Sequence, residues 1–72
     1  MNGQSLKALV AEHGFGIRVR SMESEQNLLP FTIIGVNPHY PECYTVRYDD
    51  PYGEGPVRKE CDNPAYNDYV LA

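Results

Sequence analysis

Leu6, Leu9, Val10 and His13 fall at the i, i+3, i+4, i+7 spacing of one helical face. Ser5 before this run and Gly14 after it supply an N-cap and a C′ residue, which predicts a helix at about 5–13. A helix so short does not hold alone in water. Its Leu6/Leu9/Val10 face is therefore expected to lie on a sheet or over an open barrel end. After Gly14 the period drops to two: Phe15, Ile17, Val19 and Ser21 alternate with Gly16, Arg18 and Arg20. That alternation predicts a strand with the first set inward and the arginines outward. Segment 22–27 is polar and acidic and reads as a loop. Segment 28–36 is rich in β-branched and aromatic residues, with Pro30 near its start and Gly35 marking a bulge or bend. Two prolines fix a loop at 37–42. A third strand is predicted at 43–48 and a fourth at 57–61, joined by a tip at 49–56 dense in turn formers. A tight turn at 63–67 leads to a short closing strand, Tyr69–Leu71.

Five short strands at regular spacing predict a small barrel in place of a flat sheet. Their order is strand, polar loop, long bent strand, two hairpins, tight turn and short last strand. Over 15–71 this order resembles the SH3-like barrel, including its Tudor and KOW-type versions. Within that group, Gly16-Ile17-Arg18-Val19-Arg20, Ile33-Ile34-Gly35-Val36 and Cys43-Tyr44-Thr45-Val46 resemble strands of the plasmid-borne type II dihydrofolate reductases. The cofactor- and substrate-contacting Val-Gln-Ile-Tyr stretch of that family falls on Val57-Arg58-Lys59-Glu60, where the valine alone matches. The resemblance therefore implies fold and not reductase activity. The expected architecture is mainly β, a five-stranded SH3-like barrel with one short N-terminal α-helix, and a single domain over 1–72.

Composition sharpens this picture in three ways. A chain of 72 residues buries only about 60% of its unfolded surface, so a crosslink or self-association is expected to supplement the core, and a homo-oligomer is in view. Apolar residues make up 42% of the chain, with six Tyr and no Trp, which is the composition of a folded domain with an adhesive surface. Ten acidic residues against six basic ones give a net charge of −4, the reverse of the usual balance in a phosphate-binding domain. The start of the chain lacks a basic and then apolar leader, and no apolar run reaches the length of a membrane span. A soluble, cytoplasmic protein is expected, in keeping with only two cysteines.

The candidate chemistry is sparse. If the second hairpin is symmetric about Tyr52, Cys43 and Cys61 lie directly opposite each other, within disulfide or metal-sharing distance. Placing Tyr44, Val46 and Tyr48 on one face with Val57 and Cys61 needs instead a shift that separates the cysteines onto opposite faces. The expectation drawn from that parity is two ordinary thiols, at least one of them buried. His13, His39, Cys43 and Cys61 could form a zinc set, but no Cys-x-x-Cys knuckle supports it, and neither a metal nor another cofactor is expected. The pair Cys43/His39 lacks the shaped pocket that nucleophilic catalysis needs.

The tyrosines carry more. Tyr44, Tyr48 and Tyr66 are expected to pack in the core or at its rim. Tyr40 and Tyr52, flanked by Pro and Gly at loop tips, are expected to make contacts, because loop aromatics are enriched at interfaces. Together with Glu42, Asp49 and Asp50 they form the expected partner-binding set. The function expected is a non-catalytic protein-binding module whose size and character resemble bacterial and phage accessory proteins that inhibit or redirect a host enzyme or defence complex. One alternative is nucleic-acid binding through a stripe of Arg18, Arg20, Arg47 and Arg58, with Lys59 nearby. A third reading is a small oligomeric reductase-like enzyme with its site between protomers.

Overall fold

The computed structural model describes residues 3–22, 30–50, 53–62 and 69–72, and of residues 50, 53 and 54 the backbone alone. The elements are α1 (Leu6–His13), β1 (Arg18–Ser21), β2 (Phe31–Val36), β3 (Cys43–Asp50), β4 (Gly53–Cys61) and β5 (Tyr69–Leu71). The fold is mainly β: one antiparallel sheet in the order β4-β3-β2-β1-β5, with a single short helix. Among the described residues the sheet has two edges, β4 and β5, and is open.

Helix α1 starts where the sequence places it, because the Ser5 hydroxyl accepts from the Ala8 amide. It ends at Gly14, whose φ of 82° suits a residue without a side chain and whose amide donates to the Val10 carbonyl. Leu6 and Leu9 are fully buried and Val10 packs against them, whereas His13 is exposed. The apolar face meets the sheet, and Leu6, Leu9, Val19, Phe31, Ile33 and Val46 form one core cluster.

The register explains which strand positions join that core. Val19 pairs with Phe31, Phe31 with Tyr48, and Ile33 with Val46, so these residues share the helix-facing side of the sheet. Gly35 next pairs with Thr45, which leaves Ile34 as an extra residue, and the bulge expected at Gly35 lies between Ile33 and Gly35.

Three expectations are corrected. Regular strand geometry in the first strand begins at Arg18 and not at Phe15, because Gly16 takes a φ of 88° and breaks the alternation. Phe15 is consequently half exposed, with its ring against Tyr44. The long tip at 49–56 is mostly strand, since β3 extends to Asp50 and β4 begins at Gly53. Val57 pairs with Arg47 on the side of the sheet away from the helix and is 54% exposed, so it is not a core residue. Tyr66, positions 23–27 of the loop expected at 22–27, and the turn at 63–67 lie outside the described residues.

Candidate functional site

The second hairpin and the loop that enters it organise the surface. Cys43 and Cys61 are directly paired and joined by a disulfide, with Cα atoms 4.3 Å apart. This overturns the expectation of two separate thiols. The parity argument failed at its premise: Val57 faces away from the core, so the symmetric register holds from Cys43 to Arg47 and no slip separates the cysteines. The shift comes later, between Arg47 and Asp49, after the cysteines are already aligned. The backbone amide of Cys43 donates to Tyr40 and its carbonyl accepts from Asn37, so its polar groups face the β2 side. The two cysteines are therefore a narrow, non-hydrogen-bonded pair relative to β4, for which a separation near 4.5 Å is normal. Two sulfurs spent in a disulfide cannot serve as zinc thiolates, and the described residues bring no three His, Cys, Asp or Glu side chains together as a metal site. Disulfides form and persist in oxidising compartments, so the expectation of a cytoplasmic protein loses the support it drew from cysteine count.

Just before the disulfide, the loop at 37–42 is held by its own side chain. Asn37 Oδ1 accepts from the amides of His39 at 2.9 Å and Tyr40 at 3.1 Å, an Asx turn that fixes the chain as it passes Pro38. Tyr40 emerges from this turn 54% exposed, and Lys59 Nζ lies 3.8 Å from the centre of its ring. That cation–π contact joins the loop to β4 and holds the ring in place. Glu42 is exposed beside it. At the opposite end of β3, Asp49 accepts from Arg18, with Nε at 2.9 Å and a second contact through Nη2. Tyr40 and Glu42 thus lie at one end of β3, and Asp49 and the backbone of Asp50 at the other, roughly 20 Å apart at strand rise. Four of the five residues expected to form one partner-binding set are divided between these ends, while Tyr52 and the side chain of Asp50 lie outside the described residues.

The arginines are divided as well. Arg18 pairs with Thr32 and Thr32 with Arg47, so Arg18, Arg20 and Arg47 share the side of the sheet away from the helix. Arg58 pairs with Val46 and belongs to the other side, where Lys59 does not follow it. The stripe on the outer side is therefore Arg20, Arg47 and Lys59, with Arg18 tied to Asp49.

Two residues matter that the sequence pattern did not single out. Asp62 accepts from the amides of Leu6 at 2.6 Å and Lys7 at 3.0 Å, so a carboxylate from the end of β4 sits on the N-terminus of α1. Glu60 accepts from the Tyr48 hydroxyl on the helix-facing side. Burial first, and then this bond to Glu60, push the Tyr48 phenol well above the ordinary tyrosine range. No helix among the described residues is long and apolar enough to cross a membrane. No family model, curated protein or solved structure matches the chain.

Proposed function

We propose that the chain is a non-catalytic protein-binding module on an SH3-like small barrel, with Tyr40 as the anchor of its contact surface. The strand order supports the fold reading, since a four-strand meander whose fifth strand returns to pair with the first is the order of that barrel. The observation that carries the function is the presentation of Tyr40. A half-exposed aromatic ring is held on its backbone side by the Asn37 turn and over its face by Lys59, and the loop at 37–42 that carries it runs directly into the Cys43–Cys61 disulfide. A ring already immobilised loses little entropy on binding, which is what makes a tyrosine an effective interface anchor. Exposed Val57 on the same side of the sheet as Lys59 extends the surface with apolar area, and Glu42 gives it an acidic rim. A small module of this kind suits an accessory protein of a bacterium or phage that docks on a larger enzyme and inhibits or redirects it.

Nucleic-acid binding is the less favoured reading, because Arg18 is neutralised by Asp49 and Arg58 lies on the other side of the sheet. Affinity capture from a bacterial lysate, with and without nuclease, separates the two. The expected result is a stoichiometric protein partner that survives nuclease and moderate salt and is lost with Tyr40→Ala. Retention of nucleic acid alone, falling steeply with salt, would replace the protein-binding reading.

A further inference from the structure

Among the described residues strand β4 is the longest in the sheet and lies at its edge, so its outer side carries backbone groups that β3 does not use. The hydrogen-bond parity identifies them. Cys43 directs its amide and carbonyl to the β2 side, as Asp49 directs its amide to the Pro30 carbonyl, so odd-numbered positions of β3 serve β2 and even-numbered ones serve β4. Tyr44 and Val46 are then hydrogen-bonded to Glu60 and Arg58. Val57, Lys59 and Cys61 are left pointing their amides and carbonyls outward. The other edge of the sheet is covered in part, because Gln4 and Tyr69 exchange backbone hydrogen bonds there.

We propose that β4 is the interface of a two-fold homodimer, in which it pairs antiparallel with β4 of a second copy about Lys59. Only outward-pointing residues can form hydrogen-bonded pairs across such an interface, which restricts the register to a few choices. In the register centred on Lys59, Val57 lies opposite the partner's Cys61, and Arg58 lies opposite the partner's Glu60, twice by symmetry. Arg58 is exposed, and Tyr48 occupies one oxygen of Glu60, leaving the other for the guanidinium across the axis. Centring instead on Arg58 sets two guanidiniums face to face, and no register that moves away from Lys59 keeps both opposite-charge pairs. The two copies of Lys59 meet at the axis, but each ammonium is drawn over the ring of its own Tyr40. Pro56 lies just outside the paired segment, so the missing amide costs the ladder nothing. The charges that normally discourage edge pairing here become its register code.

The test is sedimentation equilibrium of the wild-type chain with its disulfide intact, alongside amide exchange. A short edge-to-edge interface is expected to give a dissociation constant of roughly 10–1000 µM, with exchange at Val57, Lys59 and Cys61 slowing as concentration rises. Arg58→Glu and Glu60→Arg should each weaken self-association about tenfold or more, since each turns two attractive pairs into two repulsive ones. Mixing those two variants should restore a heterodimer, which also shows that both are folded. Lys59→Pro removes an outward amide without touching the β3 ladder and should remain folded and monomeric. A wild-type chain that stays monomeric to about 1 mM, or a dimer unaffected by Arg58→Glu and Lys59→Pro, would overturn the proposal.

Discussion

At Gly55 the chain has no room for a side chain. Two residues of β4, Gly55 and Pro56, lie opposite Tyr48 where the register shifts between Arg47 and Asp49. A β-carbon at Gly55 would overlap the carbonyl of Tyr48, a backbone atom that cannot turn aside. The bulge lets Tyr48 keep its ring against Phe31 at 5.2 Å while the strands continue to Asp50 and Gly53. Gly55→Ala is therefore expected to cost about 2 kcal/mol or more, as overpacking does when the obstacle is rigid. The control is Gly35→Ala at the other bulge, where a β-carbon would meet nothing, and the change should stay within about 0.5 kcal/mol. Urea denaturation of both variants checks this, and equal losses would show that the close approach at Gly55 is not what its glycine is for.

Among the elements, the disulfide and the helix are coupled through one residue. Cys61 ends β4 and Asp62 follows it directly, with its carboxylate on the amides of Leu6 and Lys7. The crosslink spans 18 residues of chain, for which the loop-entropy relation gives about 3 kcal/mol of stabilisation. Reduction is expected to lower the melting temperature by roughly 12–24 °C and to release the Leu6 and Lys7 amides to exchange before those of β2 and β3. If those two amides keep their protection in the reduced chain, Asp62 holds its place without the disulfide and the coupling is absent. What was legible here divides by range. Ser5, Gly14 and the Gly35 bulge act within a few residues, so local pattern was enough to find them. Asp62 caps a helix 56 positions away, and nothing near it in the chain marks it. Phe15 and Val57 were misplaced because an apolar side chain in an alternating run was assumed to face inward. Gly16 breaks the alternation at the first, and the register turns the second outward. The expectation of two unpaired cysteines rested on that second error.

The molecule as a whole compensates for a small core with aromatic rings at its rim. Phe31 packs in a tilted pair with Tyr48 and a T-shaped pair with Tyr69, and Tyr44 meets Phe15 at the sheet's other end. Burial raises the phenols of Tyr44, Tyr48 and Tyr69 above their ordinary value, and the nearby carboxylates add to the shift: Asp62 for Tyr44, Glu60 for Tyr48, and both for Tyr69. All three shifts have the same sign, and that sign fixes the pH response. In the unfolded chain these phenols lose their protons near pH 10, about their unperturbed value, while the folded chain still holds them. Raising the pH through this window therefore draws the equilibrium toward the unfolded state. Stability contributed by the neutral phenols is fully present below about pH 10 and is lost progressively above it. Urea midpoints measured from neutral to strongly alkaline pH should be flat at first and then fall steeply. Absorbance near 295 nm should show part of the tyrosine population ionising only as the fold is lost. Tyr48→Phe removes the most strongly shifted phenol and keeps its ring on Phe31, so its midpoint should fall less steeply across the same range. An unchanged slope in that variant would mean that Tyr48 titrates as freely in the folded chain as in the unfolded one, and that the Glu60 bond does not hold its proton.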